Sequence, residues 1–521
     1  MSKFKCATIF SDNMVFQRNK PVCIFGTGEE GLKISASIGG SFAEGRVYDG
    51  HFKLYLPKQE AGENLTVTVT DGEDSVSFSN VAIGEVWIAG GQSNMELELH
   101  NAVAGMDALK NDKPNVRFFY TPKIAYEDEC FAQMEEWAHW ETFNEQDAAK
   151  WSAVAYFFAK ELSEKLGVTV GIVGCNWGGT SASCWIPRSD IEGDEILDSY
   201  LDELRKNSKG VSFDSQKETY NEYLEYAKNW DEKCAEMYAK NPNADWQVIQ
   251  DTIGECRYPG PVNECNPVRP GGLYVTMVSK VIAYTCRGVI FYQGESDDHR
   301  PNDYERLYKF LIRRWRNDNK DSELPFIGVQ LPMHRYKADP DYKHWPIIRQ
   351  AQRKVATDEK NVGLAVAIDC GEFNEIHPKD KRPVGHRLYL QAANMVYGTE
   401  SPEKANSPRL KRVLFSKDCA EVCFDFTDGG FLLKNESGEM EPLDNYEVFE
   451  NEPDNEITGF EIASSDGNFV EARAEIISKN TVRVYSKQVP NPCYVRYLWT
   501  NWSDVVLYGA NGLPVEPFYS K

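Results

Sequence analysis

The sequence lacks any apolar run close to the roughly 20 residues that a membrane-spanning helix needs, although 41% of its 521 residues are hydrophobic. We therefore expect no membrane partner. The first residues also lack an apolar segment followed by small residues, which is the pattern of an export signal. This predicts a cytoplasmic protein, with a secreted form left open in case such a signal was removed from the chain.

Positive charge is also scarce, because 57 Lys and Arg residues stand against 80 Asp and Glu residues. The formal net charge of −23 predicts a surface that repels phosphate backbones. Nucleic acid is therefore excluded as a partner. The sequence does not indicate whether the chain forms oligomers.

Metal-binding patterns are missing as well. The 13 cysteines are scattered from Cys6 to Cys493 without any C-x-x-C pair, which is typical of reduced, buried thiols. No group of His, Cys and carboxylate residues has the spacing of zinc ligands. The G-x-x-x-x-G-K-[ST] motif that cradles phosphates is absent too. We therefore predict no metal and no cofactor.

What the sequence does contain is a change of periodicity along the chain. At roughly 150 residues per domain, its length suggests about three domains. Short alternating apolar runs broken by Gly and Asp predict an N-terminal β domain over 1–81. Between 82 and 404, strand-like runs alternate with helical stretches, which predicts an α/β domain whose parallel sheet is covered on both faces. An acidic stretch over about 189–245 predicts a helical insertion, and alternating runs over 405–521 predict a C-terminal β domain.

The turn after the first strand of this α/β domain contains a candidate nucleophile. The run Ile83–Ala89 leads into Gly90–Glu96, which places Ser93 at the carboxyl end of the strand and the start of a helix. Ligands of open parallel sheets bind at that end, and the free N–H groups of a helix N-terminus stabilise an oxyanion. The alternative is a serine that only caps the helix after a glycine turn.

Two further strand-to-helix turns carry candidate oxyanion donors. Gly178 and Gly179 follow the run Val168–Val173, and paired glycines let backbone N–H groups approach a substrate closely. Gln293 follows the run Gly288–Tyr292 and offers a side-chain amide at the same edge of the sheet. Each feature also has a plain structural interpretation, as an ordinary glycine turn or as a polar residue that ends a strand.

The base that a serine nucleophile needs has few candidates, because the chain has eight histidines. His377 follows the last predicted strand and precedes the terminal helix, so it lies at the same sheet edge, unless it is merely a loop histidine beside a proline. Together these features predict a serine hydrolase. A glycosidase with paired carboxylates from the cluster Glu295, Asp297 and Asp298 stays open, but it leaves Ser93 and His377 unexplained.

The motifs around these residues resemble those of one known family. In chain order they are Phe10–Arg18, Gly84–Ile88, Gly91–Met95, Asn176–Thr180, Arg269–Tyr274, Tyr292–Ser296, Ile376–Pro378 and Gly512–Pro514. Along almost its full length, the chain is similar to the sialate O-acetylesterase family of carbohydrate esterases, in the SGNH-hydrolase superfamily. This resemblance implies an SGNH-hydrolase-like (flavodoxin-like) parallel sheet with helices on both faces, N- and C-terminal β-sandwich-like regions, and a helical insertion.

The resemblance also implies roles for the candidate residues. Ser93 corresponds to the nucleophile and His377 to the base, and no metal takes part. The oxyanion hole comprises backbone N–H groups of Ser93 and of either Gly178 or Gly179. The side chain of Gln293 completes it, at a position where many SGNH enzymes have an asparagine.

The acid that orients the histidine is the point at which this sequence departs from the family pattern. SGNH enzymes usually place an Asp three residues before the histidine, where this chain has Asn374. We favour Glu375, two residues before His377, over Asp369, eight residues before it. A Ser–His dyad aided by a backbone carbonyl is a further alternative.

The implied activity is the removal of acetyl groups from sugar hydroxyls, so the expected partner is an acetylated sugar or oligosaccharide. Similar proteins deacetylate plant polysaccharides such as xyloglucan, which leaves the identity of the sugar open. Two other classes of protein are also open. One is a carbohydrate-binding protein whose hydrolase site has decayed, and the other is an ester or thioester hydrolase for lipids.

Overall fold

The computed structural model describes residues 3–128, 131–241, 244–337, 339–435, 437–442 and 457–520. Eight strands precede the first helix: β1 (Phe4–Cys6), β2 (Val15–Gln17), β3 (Val22–Gly28), β4 (Lys33–Ile38), β5 (Ser41–Arg46), β6 (His51–Leu56), β7 (Gly62–Thr70) and β8 (Ser75–Gly91). β1, β3 and β6 form one antiparallel sheet. A second set of antiparallel strands has the order β5, β4, β7, and β7 pairs with the first part of β8.

β8 connects this antiparallel region to the central sheet without a linker. From Ser75 to Asn80 its residues alternate between exposed and half-buried, whereas from Val81 to Gly91 every residue is buried. The first part of the strand therefore has a face in water, and the second part is covered on both faces. The predicted boundary between residues 81 and 82 falls inside this strand, where the burial changes.

Strands and helices alternate in the central region. In chain order the elements are α1 (Ser93–Glu96), α2 (Gly105–Asn111), β9 (Val116–Tyr120), α3 (Phe131–Trp137), β10 (Trp140–Thr142), α4 (Glu145–Ala148), α5 (Ala153–Leu166), β11 (Val170–Asn176), α6 (Arg188–Ile191), α7 (Asp202–Ser208), α8 (Phe213–Lys240), α9 (Trp246–Ile253), α10 (Ser279–Val281), β12 (Gly288–Tyr292), α11 (Tyr304–Asn319), β13 (Phe326–Gln330), α12 (His344–Asp358), β14 (Val362–Val366), α13 (Arg382–Met395) and α14 (Pro402–Ala405). Short 3₁₀ or π turns lie between some of them, at Leu99–Asn101, Ala182–Trp185, Leu197–Leu201, Tyr274–Val278 and Glu295–Asp297.

The central sheet runs in the order β10, β9, β11, β8, β12, β13, β14. Neighbouring strands from β9 to β14 are parallel, and β10 is antiparallel to β9. The predicted α/β class with a parallel sheet is therefore confirmed. A flavodoxin-like sheet has the order 2-1-3-4-5. Counted in chain order, the five strands β8, β11, β12, β13 and β14 run 2-1-3-4-5 across the sheet, and β9 is a further parallel strand outside β11.

Helices cover both faces of this sheet. α5 and α13 pack against each other on one face, where the ring of Phe158 contacts Trp87. α11 and α12 cover the other face, where the ring of Trp315 contacts Phe291 and lies against Gly90. Trp87 and Gly90 are three residues apart on one strand and so face opposite sides. The carboxyl ends of the parallel strands meet at one edge of the sheet.

The boundaries of α5 show how the local sequence produces a helix. The Ser152 side chain accepts a hydrogen bond from a backbone N–H of the first turn and so caps the helix. Gly167 ends the helix with a φ of 63°, a left-handed conformation that glycine adopts without strain. Between them, an apolar stripe that includes Val154, Phe158 and Leu162 is fully buried against the sheet.

The segment predicted as a helical insertion, about 189–245, contains most of α6 and all of α7 and α8. α8 alone spans 28 residues, and α9 continues the helical structure to Ile253, past the predicted end at residue 245. Among the helices of the described residues, none is both long enough and apolar enough to cross a membrane.

The C-terminal region consists of strands: β15 (Arg409–Phe415), β16 (Ala420–Asp425), β17 (Phe431–Lys434), β18 (Met440–Pro442), β19 (Phe460–Ala463), β20 (Val470–Glu471), β21 (Arg473–Ser478), β22 (Thr481–Tyr485), β23 (Tyr494–Tyr497), β24 (Leu507–Gly509) and β25 (Phe518–Ser520). They form small sheets in the orders β15-β16-β22-β21, β18-β17-β24 and β20-β19-β23-β25. Their buried apolar residues share one core with Leu364, Val366 and Ile368, in and just after β14. The C-terminal strands therefore pack against the last strand of the central sheet.

Candidate active site

Ser93 begins α1, directly after the strand in the middle of the central sheet. The chain turns sharply at Gly91, which has a φ of 133°. A Cβ atom at this position would lie 2.1 Å from the carbonyl oxygen of Tyr292 on the neighbouring strand. Only glycine fits there, and the turn brings Ser93 to the edge where the carboxyl ends of the strands meet.

His377 lies in the loop between β14 and α13 and reaches the same edge of the sheet. Its Nε2 atom is 2.8 Å from the hydroxyl oxygen of Ser93, which is hydrogen-bonding distance. The two residues are 284 positions apart in the chain. A hydroxyl bonded to an imidazole nitrogen is the arrangement in which the imidazole can remove the hydroxyl proton.

The two predicted orienting acids have different partners. A carboxylate oxygen of Glu375 accepts a hydrogen bond from the backbone N–H of His377 at 2.8 Å and lies 3.8 Å from the ring Nδ1 atom. The second distance is longer than a hydrogen bond. The carboxylate of Asp369 is bound by both terminal nitrogens of the Arg387 guanidinium, at 2.5 and 2.9 Å. Of the two carboxylates, Glu375 is therefore the one beside the imidazole.

Burial and nearby charges act on the pKa of His377 in opposite directions. Burial lowers this pKa below its usual value of 6.5, and the ammonium of Lys381 lowers it further. The carboxylates of Glu375 and Glu96 raise it, but by less than burial lowers it. The imidazole is therefore neutral at pH 7, as a base that accepts the Ser93 proton must be.

The two candidate glycines differ in the partners of their N–H groups. A Cβ atom built on Gly178 would lie 3.3 Å from the Ser93 Cβ atom, so this turn passes close to the serine. The Gly178 N–H donates to the Glu96 carboxylate at 2.5 Å, and Glu96 also forms an ion pair with Lys123. Within the described residues, the N–H groups of Gly179 and Ser93 have no protein hydrogen-bond partner. These two groups are available to bind an oxyanion.

The amide of Gln293 is used inside the protein. Its Nε2 atom donates to the Asp297 carboxylate at 2.6 Å and lies 3.2 Å from both the Gln92 side-chain oxygen and the Thr180 carbonyl oxygen. An NH₂ group has two hydrogens, so these acceptors leave none for a substrate. Gln293, which is 1% exposed, therefore contacts all three strand-to-helix turns through its side-chain amide. Gln293 is predicted to donate to an oxyanion, but in this arrangement the buried Asp297 carboxylate takes a hydrogen of its NH₂ group.

That carboxylate belongs to Asp297 and is fully enclosed. It also accepts hydrogen bonds from the Ser181 hydroxyl at 2.6 Å and the Ala182 N–H at 2.9 Å. Asp297 and Glu295 are both buried, so neither carboxylate can reach a glycosidic oxygen in this arrangement. The paired-carboxylate glycosidase therefore finds no support here. In the described part of the chain, no cluster of three or more His, Cys, Asp or Glu side chains could hold a metal ion.

Sequence analysis missed two buried residues next to the Ser93–His377 pair. Asn94 and Lys381 are fully buried and joined by a hydrogen bond. Asn94 follows the serine directly within the motif Gly91–Met95, which was a usable signal. Lys381 gave no comparable signal, because lysine side chains are mostly exposed and nothing in the sequence marks this one as buried.

A cavity of about 390 Å³ lies next to these turns. Its wall includes Gly179 and Ser296 from the turns, together with Tyr200, Glu203 and Tyr258 from the helical segment and the loop that follows it. The Tyr258 hydroxyl donates to the Gly179 carbonyl oxygen at 2.7 Å. The helical segment and its loop therefore supply one side of a ligand-sized space beside the glycine turn.

Comparison with protein families finds one family whose model matches part of the chain. Residues 264–393 match the model of the carbohydrate esterase, sialic acid-specific acetylesterase family. The predicted resemblance to the sialate O-acetylesterase family is confirmed. The matched residues include Gln293 and His377, whereas Ser93 lies before them.

Individual members of the family are also similar to the chain. The sialate O-acetylesterase of Mus musculus is 25% identical over 376 residues, which are 68% of this chain and 62% of that protein. The match therefore spans less than two thirds of the mouse relative. The Homo sapiens sialate O-acetylesterase is 22% identical, with 76% of this chain and 72% of that protein covered.

A solved structure resembles the whole molecule. The crystal structure of a carbohydrate acetylesterase from Xanthomonas citri matches with a TM-score of 0.73 and 27% sequence identity. The match covers 99% of each chain, so it includes the N- and C-terminal β regions as well as the central sheet.

Proposed function

We propose that this protein is a carbohydrate O-acetylesterase that removes acetyl groups from sugar hydroxyls. The observation that carries the proposal is the 2.8 Å contact between the Ser93 hydroxyl and His377 Nε2 at the open edge of the sheet. The family match and the likeness to the Xanthomonas citri acetylesterase support an acetyl ester as the substrate.

The proposed reaction has two halves. The Ser93 oxygen first attacks the acetyl carbonyl carbon while His377 Nε2 accepts the hydroxyl proton. The tetrahedral intermediate then expels the sugar oxygen, which takes the proton from the imidazolium and leaves an acetyl-serine. A water molecule next gives a proton to His377 and attacks the acetyl group. The collapse of this second intermediate returns that proton to the Ser93 oxygen and releases acetic acid, which ionises to acetate in solution.

The proposed oxyanion hole consists of the N–H groups of Ser93 and Gly179. Neither has a protein partner in the described residues, so neither must break a hydrogen bond before it binds the developing charge. The N–H group of Gly178 can bind the oxyanion only after its hydrogen bond to the Glu96 carboxylate is broken. Gln293 takes the role of holding the turns in place rather than that of a donor.

Glu375 is the proposed orienting acid. Its carboxylate accepts the backbone N–H of His377 and so shapes the loop that carries the base. Its charge also stabilises the imidazolium that forms during attack. Because its distance to Nδ1 is 3.8 Å, a Ser–His dyad is the alternative, and the variant Glu375→Gln separates the two.

We further assign the central region to the SGNH type and keep the predicted domains 1–81, 82–404 and 405–521. The support for this assignment is the order of the site residues along the chain. The candidate nucleophile follows the first parallel strand, the glycine turn follows a middle one, and the histidine follows the last.

The cavity beside the glycine turn supports a sugar as the group that carries the ester. Its wall combines hydroxyl, carboxylate, guanidinium and aromatic side chains, among them Ser199, Glu203, Tyr258 and Arg300. Such groups hydrogen-bond to sugar hydroxyls and pack against sugar rings. A decayed binding protein would have no reason to keep Ser93 and His377 in hydrogen-bonding contact.

The proposal is tested by replacing the two reacting side chains. Ser93→Ala and His377→Ala are each expected to lower kcat for an acetyl ester by about 10⁴-fold or more, with the fold retained. His51→Ala is the matched control, because His51 is an exposed histidine in the N-terminal region. Near-normal hydrolysis of an activated acetyl ester by folded Ser93→Ala would rule out the mechanism.

The class of substrate needs a separate experiment. Comparing acetyl, butyryl and octanoyl esters tests the lipid alternative, which predicts activity that rises with acyl length. Measuring acetate release from acetylated sialic acid, xylo-oligosaccharide, xyloglucan and glucomannan identifies the sugar. A protein that binds these sugars but releases no acetate from any of them would instead be a carbohydrate-binding protein.

A further inference from the structure

A buried lysine lies close to the Ser93–His377 pair, where its ammonium lowers the pKa of the histidine. Lys381 precedes the first residue of α13 and is 0% exposed. Its Nζ atom donates to the side-chain oxygen of Asn94 at 2.5 Å and lies 5.4 Å from the centre of the Tyr292 ring. Burial lowers the pKa of Lys381 to about 8. Burying an ammonium destabilises a protein, so its presence calls for a functional explanation.

The hydrogen bonds of Asn94 give that explanation. Its Nδ2 atom donates to the Glu295 carboxylate at 2.6 Å and to the carbonyl oxygen of Ile376 at 3.0 Å. An ammonium has hydrogens to donate and no acceptor, so Lys381 can face only the oxygen of the Asn94 amide. The amide is thereby held in one of its two orientations, with its NH₂ group directed at Ile376.

This orientation joins the two reacting residues. Asn94 directly follows Ser93 in the chain, and Ile376 directly precedes His377. The hydrogen bond from Asn94 to Ile376 therefore connects the residue next to the nucleophile with the residue next to the base. Ser93 lies on α1 and His377 on the loop before α13, so the two residues belong to separate segments of the chain. A misplacement of about 1 Å in such a pair lowers the rate by about 10²-fold.

We infer that Lys381 is a positioning residue that acts through Asn94 to hold Ser93 and His377 at reacting distance. This inference rests on the proposed function. Lys381 is enclosed by the protein and does not reach the substrate. Beyond lowering the pKa of His377, it acts on the reaction through the geometry of the pair.

Glu295 completes the buried cluster on the other side of Asn94. It shares the NH₂ group of the amide with Ile376, and burial raises its pKa. Together Lys381 and Glu295 bind opposite ends of the Asn94 amide, the ammonium at its oxygen and the carboxylate at its nitrogen. If the Asn94 amide were flipped, its NH₂ group would face the Lys381 ammonium and its oxygen would face the Glu295 carboxylate, and both contacts would be unfavourable.

The test replaces Lys381 with a side chain of similar length that cannot donate. Lys381→Met is expected to lower kcat for a small acetyl ester by about 10²-fold, with KM changed by less than about threefold. The free energy of unfolding is expected to fall, because the buried side-chain oxygen of Asn94 loses its donor, so kcat is measured where the variant is folded. Lys379→Met is the matched control, since Lys379 is an exposed lysine on the same loop.

A double-mutant cycle tests whether Lys381 acts through Asn94. Asn94→Ala combined with Lys381→Met is expected to have a kcat within about threefold of that of Asn94→Ala alone. If the two losses multiply instead, Lys381 does not act through Asn94. A wild-type kcat in Lys381→Met overturns the inference altogether.

Two further comparisons keep the result interpretable. If Lys381→Met does not fold, Lys381→Gln is measured in its place. The glutamine side chain is shorter than that of lysine, so its amide does not reach Asn94 as the ammonium does. A folded Lys381→Gln with wild-type kcat overturns the inference, and a loss of at least about tenfold supports it. Full activity in Ser93→Ala would mean that the proposed function has failed, whereas inactive Ser93→Ala beside fully active Lys381→Met means that only this inference has failed.

Discussion

Two carboxylates that lie close to His377 in sequence have different partners in the structure. Glu375 is 44% exposed and accepts the backbone N–H of the histidine. Asp369 is held by two hydrogen bonds from Arg387, whose guanidinium is almost fully buried. Glu375 is thus placed to influence the reaction, and Asp369 is placed to neutralise a buried cation.

This difference predicts that two conservative substitutions have different effects on kcat and on stability. Glu375→Gln is expected to lower kcat by at least about 10²-fold, because the imidazolium loses a stabilising charge. Asp369→Asn is expected to lower kcat by less, but to reduce the free energy of unfolding by about 3–5 kcal/mol, because Arg387 is left buried without its partner. Steady-state kinetics and denaturant unfolding of both variants provide the measurements.

The pH dependence of Glu375→Gln adds an independent measurement. His377 must be neutral to act as a base, so activity is lost as the pH falls through its pKa, which burial holds below 6.5. The Glu375 carboxylate raises that pKa, so its removal is expected to move the acidic limb of kcat/KM to lower pH. A larger loss of kcat in Asp369→Asn would transfer the orienting role to Asp369. Near wild-type kcat in both variants would indicate a Ser–His dyad.

At the scale of secondary-structure elements, the turn between β8 and α1 depends on one glycine. Gly91 combines a left-handed φ of 133° with a position against the backbone of β12, where a Cβ atom would be 2.1 Å from a carbonyl oxygen. The strand, the turn and the helix can therefore follow one another only if this residue has no side chain. The direction of Ser93 depends on the same turn.

Gly91→Ala is accordingly expected to reduce the free energy of unfolding by about 3 kcal/mol or more and to lower kcat, because backbone strain and a steric clash combine. Gly167→Ala is the matched control. Gly167 also has a left-handed φ, of 63°, but a Cβ atom there meets no other atom within 4 Å. It is expected to lose only about 1 kcal/mol and to keep its kcat. Equal effects of the two substitutions would show that the close contact with β12 does not matter.

At the scale of the whole molecule, Arg349 on α12 connects the central sheet to the C-terminal region. Its buried guanidinium donates to the carbonyl oxygens of Leu331 and Pro332, which follow β13. It also donates to the carbonyl oxygens of Thr500 and Asn501 in the C-terminal region. One side chain therefore satisfies four backbone acceptors from two parts of the chain.

The same contacts continue to the loop that carries the base. The His334 N–H donates to the Asn501 carbonyl oxygen at 2.9 Å, and the Asn374 N–H donates to the Arg335 carbonyl oxygen at 3.0 Å. The C-terminal region thus supports residues 334–335, and these support the loop with His377. The position of the base depends on a region more than a hundred residues away in the chain.

Arg349→Met is therefore expected to destabilise the protein by about 3 kcal/mol or more, since each buried carbonyl left without a donor costs about 1–3 kcal/mol. A lower kcat is expected to accompany this loss, because the support for the His377 loop weakens. Arg205→Met is the control, since Arg205 forms an exposed ion pair with Asp198, and its loss is expected to leave the free energy of unfolding almost unchanged. Denaturant unfolding and steady-state kinetics of both variants provide the measurements. Similar free energies of unfolding for the two variants would contradict the supporting role of Arg349.

The sequence by itself determined the α/β class and the residues that could react. Alternation of apolar residues and the turns that follow strands are local properties, so they can be read without knowing the tertiary structure. They marked Ser93 and His377 as candidates at one sheet edge, and the two side chains lie 2.8 Å apart. They also marked the paired glycines of the second turn.

Only the tertiary structure decided strand order and hydrogen-bond partners. β11 rather than β8 lies beside β9, and no local pattern specifies which strands become neighbours. The side-chain amide of Gln293 lies 3.2 Å from the side-chain oxygen of Gln92, 201 positions away in the chain. Lys381 donates a hydrogen bond to the side-chain oxygen of Asn94, 287 positions away. A side chain's partner depends on which distant segments fold against it, and neither residue type nor spacing along the chain contains that information.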